Sequence, residues 1–376
     1  MRSLKILRIL PVGYSRELLK YIQSIPNFKN LTYSHQKDIL IKYAPSHLNS
    51  FSKCMRNLGH ECDEIIFDLE VNRKKWAQEN DAEFNEHSWK FDTLMCQIQK
   101  YKPDVLFLQG HNFFPYWIRF RLKEIFPFLK KIVIFTGFPG VSSDFKDVDH
   151  IFCCLPNIKE DFINAGCNAS LAYYYFDEDV LFNLSEICTK SRDIECSFLG
   201  TSGYGGHWEA HISRYKLLDK IAQKIPIHLW VSEAEYCSAN PIENYKPLLF
   251  KYPQNAKEAC IGLDMYNVLG RSRINFNKHT DAANGDVGNM RMFEATGMGA
   301  CLLNDDGNNL NDIFEVDREI VTYKSEEECL EKLDYLIQNP KEAEKIGEAG
   351  KKRTLKDHTL QKRCSELSMR IEKLFD

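Results

Sequence analysis

The sequence has no apolar run long enough to span a bilayer; stretches such as KIVIFTGFPG fall far short of the roughly 20 residues needed. It has no C-x2-C pair, so no zinc framework is expected from its 13 scattered cysteines. An odd cysteine count without framework spacing points to reduced thiols in a cytoplasmic protein, each acting as a small buried hydrophobe. There is no basic excess: Lys and Arg total 49 against 53 Asp and Glu, a net charge of −4. A nucleic-acid partner, which needs a clustered positive footprint, is therefore not expected. Internal repeats and low-complexity segments are missing as well. The start, MRSLKILRILPVG, lacks a sustained apolar h-region and a small-residue cleavage site, and reads as a strand. What remains is 376 residues at 44% hydrophobic and 27% charged, ordinary globular composition with length for two domains.

Apolar strands alternate with helical segments. Strands are expected at Ile6–Pro11, Glu64–Asp68, Asp104–Gln109, Lys131–Thr136, His150–Cys154 and Ser170–Tyr174. A second series follows at Cys196–Leu199, His228–Val231, Arg273–Asn277 and Ala300–Leu303. One long helix is expected from about Ser34 to Gly59, and others at Val71–Gln78, Ser88–Tyr101, Glu209–Gln223, Asp264–Leu269, Leu330–Gln338, Lys341–Ala349 and Gln361–Leu374. Alternation of this kind makes a right-handed βαβ sheet the economical topology, an α/β class. The domain boundary is expected between Asp177 and Asp193, dividing the chain into 1–185 and 186–357, with a last segment 358–376.

The most informative stretch is INFNKHTDAANGDVGNMRMFEATGMGACLLND. It reads as strand, polar loop, helix, tight turn, strand. Gly288 or Asn289 can cap the helix, which runs through Thr296 with Gly297 in the left-handed stop position. A helix N-terminus fed by such a loop offers free N–H groups and a positive dipole end, an anion site to which Gly288, Asn289 and Met290 contribute. Arg291, in the first turn, adds a bidentate phosphate donor. Glu294 lies one turn on, and Asp286 eight residues before it. A diphosphate flanked by two carboxylates that accept sugar hydroxyls is a coherent nucleotide-sugar site. An ordinary α/β loop with a surface Arg–Glu pair is the competing reading.

The run GNMRMFEATGMGACLLND and the segment after it, through KKRTLKDHT, resemble the C-terminal half of GT-B glycosyltransferases, most of all the CgeB-like branch of the glycosyltransferase group 1 proteins. The resemblance extends less specifically to LGHECDEIIFD and YKPDVLFLQ. It implies two Rossmann-like domains facing across a cleft, with the last helix crossing back to the N-terminal domain. It implies transfer of a sugar from a nucleotide-diphosphate sugar to a hydroxyl acceptor such as a glycan, by a retaining mechanism. Retaining members carry an E-x7-E pattern: Glu294 matches the second glutamate, which binds the ribose, and Asp286 falls where the first contacts the sugar, one methylene shorter. No D-x-D motif of the metal-using GT-A kind stands in a suitable place, so neither metal nor cofactor is expected.

Further candidates stand at strand ends, where open α/β sheets bind ligands. His111 follows DVLFLQG, where the family often places a histidine near the donor sugar and leaving phosphate. His279 follows INFNK, and Asn277 and Asn275 share one strand face. The loop Gly200–His207, with Thr201, is glycine-rich, and His211 and Arg214 stand one turn apart on the next helix. Tyr14, Thr136 and the YYYF run at Tyr173–Phe176 are weaker candidates. A peripheral membrane contact stays open, as do two rival functions: a GT-B nucleotide-sugar epimerase of the UDP-N-acetylglucosamine 2-epimerase kind, and a non-catalytic nucleotide-sugar-binding module.

Overall fold

A strand that is apolar at nearly every position has to be covered on both faces, and a parallel sheet between helices does this. The computed structural model describes residues 2–13, 16–45, 47–110, 113–138, 145–184, 191–203, 211–233 and 245–376. It contains two six-stranded sheets, every pair within them parallel. The first holds β1 (Lys5–Leu10), β2 (Glu61–Ile66), β3 (Val105–Gln109), β4 (Lys131–Thr136), β5 (His150–Cys153) and β6 (Ala169–Leu171), in the order β2-β1-β3-β4-β5-β6. The second holds β7 (Ile194–Gly203), β8 (His228–Glu233), β9 (Ala256–Glu258), β10 (Ser272–Asn277), β11 (Cys301–Asp305) and β12 (Val321–Tyr323), in the order β12-β11-β10-β7-β8-β9. Each order reverses direction once, between β1 and β3 and between β7 and β10. These are the topological switch points of Rossmann-like sheets.

The chain forms two units: Met1–Tyr173 with Leu360–Asp376, and Tyr174–Thr359 between them. The returning helix, Leu360–Glu372, buries Leu360, Cys364, Leu367 and Ile371 in the first unit. Ser368 Oγ lies 2.7 Å from His60 Nε2, and Arg370 donates to the Leu171 carbonyl at 2.9 Å. In the second unit, the stretches next to the two crossings are joined: Phe176 and Thr359 form a parallel bridge, and Phe176 N–H donates to the His358 carbonyl.

Several expectations are corrected. The helix expected over Ser34–Gly59 is two helices, Tyr33–Tyr43 and Phe51–Asn57. Ala44 ends the first with φ +53°, and Pro45 cannot continue it. The second strand starts at Glu61, three residues before the expected Glu64, because Glu61, Cys62 and Asp63 also pair with β1. Gly297 is not the left-handed stop. It closes the helix Met290–Gly297, and Gly299 (φ +81°) makes the turn. Gly297 is small because the Phe176 ring lies where its side chain would be. Gly200–Gly203, expected in a loop, belong to β7, whose register with β8 shifts between Thr201 and Gly203. The eleven cysteines among the described residues are free thiols. Among those residues no helix is long and apolar enough to cross a membrane.

The helix Pro340–Asp357 packs closely on this region through two glycines. A Cβ at Gly347 would overlap the Gly299 carbonyl oxygen, and one at Gly350 the Glu319 carbonyl oxygen. Backbone cannot move aside as a side-chain tip can. Gly347→Ala should therefore destabilise by about 1–3 kcal/mol, read as a lower denaturation midpoint; an unchanged midpoint would refute the close packing.

Candidate functional site at the carboxyl ends of the second sheet

The site starts from Asn277, the last residue of β10, which is 3% exposed. Its amide lies against two others. Asn277 Nδ2 donates to Asn304 Oδ1 at 2.6 Å and to Asn289 Oδ1 at 3.2 Å, and Asn289 Nδ2 donates back to Asn277 Oδ1 at 3.1 Å. Asn289 is the N-cap of the helix Met290–Gly297; its Oδ1 also accepts from Met292 N–H. This explains an asparagine at each position: each amide both donates and accepts, which a carboxylate does not. Asn275, on the same strand face, donates to Ser197 on β7.

His279 holds the loop that enters the helix. Its Nε2 lies 3.0 Å from Gly288 N and 3.1 Å from Asn289 N, and its Nδ1 is 2.8 Å from Asp305 Oδ1. Amide nitrogens only donate, so Nε2 is the acceptor and Nδ1 carries the proton. Asp305 also accepts from the His279 backbone N–H. Burial alone would raise the Asp305 carboxyl, but the His279 ring, the Lys278 charge and the His279 amide outweigh it and hold it below the usual range. The Gly288 and Asn289 amides, expected to face a diphosphate, thus face the imidazole. Met290 and Arg291 N–H, further into the first turn, have no backbone acceptor among the described residues.

Arg291 and Glu294 form an ion pair of 2.7 Å, with side chains 15% and 6% exposed. Glu294 is buried and Arg291 half-buried, unlike the exposed pair of the competing reading. Arg291 Nε donates to the Leu199 carbonyl on β7 at 3.1 Å, and Nη1 also lies against Met265 Sδ. The guanidinium thus bridges β7 and the helix after β10, the strands flanking the switch point. Nη2 makes no hydrogen bond among the described residues. Tyr266 and Asp177 lie close: burial, reinforced by the Glu294 and Asp177 charges, pushes the Tyr266 hydroxyl up well above its ordinary value.

Arg214 ties the second element of the site to β7. It donates to the Thr201 carbonyl at 3.0 Å and to His211 Nδ1 at 3.3 Å. Burial pulls its guanidinium down to about 10, opposed chiefly by Asp305. The H-x2-R pattern therefore fastens the helix Ile212–Lys224 to the strand end.

A cavity of about 660 Å³ opens beside the loop, at the ends of β10, β11 and β12. Asp286 and His279 line it; Arg291 and Glu294 do not. Four aspartates and Glu326 face it against Lys278 and Lys324, a balance that disfavours a diphosphate. Asp286 is 7% exposed and accepts from Asn308 at 3.3 Å. The structure thus brings Asn277, His279, Asp286, Gly288, Asn289, Met290, Arg291 and Glu294 together around one loop. His111, Tyr14 and residues 204–210 lie outside the described residues. Phe176 of the aromatic run is fully buried and packs edge-on to Tyr266. Sequence reasoning missed Asp305, Asn304, Tyr266 and Asp177. An asparagine followed by two aspartates at a strand end was the signal for the first two.

In the first unit, the loop after β1 is already engaged. Asp68 accepts from Val12 N–H and Gly13 N–H, at 2.9 Å each. This is the position at which a Rossmann sheet would present amides to phosphate, and the chain's own carboxylate holds them.

Residues 214–368 match a family model described as glycosyl transferase-like. No curated protein matches the sequence. Solved structures align over the chain. HepE of Anabaena, in complex with UDP-glucose, has a TM-score of 0.62 at 10% identity, covering 99% of this chain and 100% of that one. Sucrose-phosphate synthase of Thermosynechococcus elongatus has a TM-score of 0.58 at 10% identity, covering 100% and 99%. A glycosyltransferase of Rickettsia africae has 0.56 at 12% identity, covering 100% of both. At such identity the likeness establishes architecture. The chain has the GT-B fold, and its residues 214–368 carry the pattern of a glycosyl transferase-like domain.

Proposed function

We propose that this protein transfers a sugar from a nucleotide-diphosphate sugar to a hydroxyl acceptor, a glycan or its precursor, with retention and without a metal. The observation that carries the reading is the Arg291–Glu294 pair, its carboxylate buried, at the switch point between β7 and β10. Glu294 supplies a carboxylate acceptor for ribose hydroxyls. Arg291 keeps Nη2, a donor for one phosphate oxygen, beside the Met290 and Arg291 amides and the positive helix end. Asp286, on the cavity side of the same loop, is the carboxylate for the donor sugar. By the resemblance, His111 is the residue we assign to the sugar and leaving phosphate. HepE, with UDP-glucose bound, supports the choice of donor class.

Transfer builds positive charge on the sugar and negative charge on the leaving diphosphate. The protein's task is to align the two substrates and stabilise that phosphate. Cationic side chains and a helix end supply this without a metal. Thermal shift against a nucleotide-sugar panel should show stabilisation by one class, since a ligand bound only to the folded state raises apparent stability. Nucleoside-diphosphate release with an acceptor should then persist in excess EDTA. Release that stops with EDTA and returns with manganese refutes the metal-free reading. Conversion of the nucleotide sugar without acceptor would identify an epimerase instead.

A further inference from the structure

Two amides at a helix entrance that both point at one imidazole lone pair form an unusual arrangement, because the ring accepts both bonds only while Nε2 is unprotonated. We propose that His279 is a positioning residue: oriented by Asp305, it holds the Gly288–Asn289 entrance of the helix and thereby sets where Arg291 and Glu294 stand. The inference rests on the donor site proposed above but concerns residues that need not touch the ligand.

The geometry is over-determined. The ring is 4% exposed. Asp305 grips it twice, through Nδ1 and through the backbone N–H, which fixes both tautomer and direction. Gly288 adopts φ +148°, a conformation open to glycine and strained for other residues. Asn289, held on its N–H by the ring, is held on its side chain by Asn277. The helix begins at the next residue, Met290. No slack separates the imidazole from the first turn that carries Arg291.

Protonating Nε2 turns an acceptor into a donor facing two donors. Both bonds are lost together and the helix entrance is released. Lys278, Asp281, Asp286, Asp305, Asp306, Tyr323 and Lys324 line the same cavity as the ring. Asp305 is the charge in contact with it.

His279→Gln is the informative variant. A glutamine carbonyl oxygen reaches about as far as Nε2 and accepts the same amides. Two readouts are needed. The first is amide hydrogen exchange of the peptide spanning 284–292, with no ligand present. It should be slow in the wild-type protein at pH 8, fast in His279→Ala, and slow again in His279→Gln, after correction for the intrinsic pH dependence of exchange. The second is affinity for uridine diphosphate. His279→Ala should lose about tenfold or more, and His279→Gln should stay within about threefold of wild type at pH 8. Equal exchange in wild type and His279→Ala overturns the clamp. A protected loop with unchanged affinity in His279→Ala overturns the positioning role. A wild-type protein that binds no nucleotide overturns the proposed donor site, and with it the positioning role, while exchange still decides the clamp.

Discussion

Arg291→Ala should cost this protein both stability and ligand. The substitution leaves Glu294, 5% exposed, without its 2.7 Å partner, and an unpaired buried charge costs about 3–5 kcal/mol. It also removes the bond to the Leu199 carbonyl that joins helix to β7. Binding of nucleoside diphosphate should fall by about 1.5–3 kcal/mol through the lost phosphate contact. Free nucleoside should lose less. Glu294→Gln separates the two effects: it keeps the shape, drops the charge, and should weaken nucleoside and diphosphate alike, because both carry the ribose. Calorimetry of the three proteins with both ligands decides the matter. Unchanged diphosphate affinity in both variants would remove Arg291 and Glu294 from the donor site.

Arg8→Met should be the most damaging change in the first unit. Arg8 lies in the middle of β1, fully buried, opposite Glu64 on β2. It donates to Asn49 Oδ1, the His47 carbonyl, Gln109 Oε1 and Glu64 Oε2, at 3.0 to 3.4 Å. Glu64 is buried too and also accepts from Ser52 at 2.7 Å. Methionine fills the volume but leaves the carboxylate without its ion-pair partner, at a cost of about 3–5 kcal/mol near neutral pH. The pH dependence has a definite sign. Burial raises the Glu64 carboxyl even with Arg8 in place, so the folded state binds this proton more tightly than the unfolded one. Stability from that group is present below the unfolded value and is lost as pH rises through the folded one. Removing Arg8 raises Glu64 further and deepens that loss. The gap between variant and wild type should thus be wider at pH 7 than at pH 5; a gap independent of pH would refute the further rise of Glu64.

The parts legible in the sequence were those whose cause is local. Val105–Gln109 announces itself because every position is buried between two layers of helix. The helix after β10 announces itself through Asn289, whose side chain caps it. β9 and β12 were missed because three residues each, AKE and VTY, carry no period to read. The break at Ala44–Pro45 was overridden by apolar spacing on either side. Gly297 was misread because its reason lies over a hundred residues away, in the Phe176 ring. The partnership of His279 with Asp305, 26 residues on, depends on β10 and β11 lying side by side. Residue type suggested that His279 belonged to the site; only the fold shows which atoms it holds.

The route of the chain also constrains how it comes to be folded. Residues 174–359 are contiguous, so the ribosome delivers every part of that unit before the last helix appears. The first unit is begun earlier and finished later. Until Leu360–Glu372 emerges, the surface that this helix will cover stands open to water, with Cys54 and Met55 of the helix Phe51–Asn57 nearby. The unit made second can therefore be the one completed first. Throughout synthesis, the first unit is the one that most needs protection from aggregation.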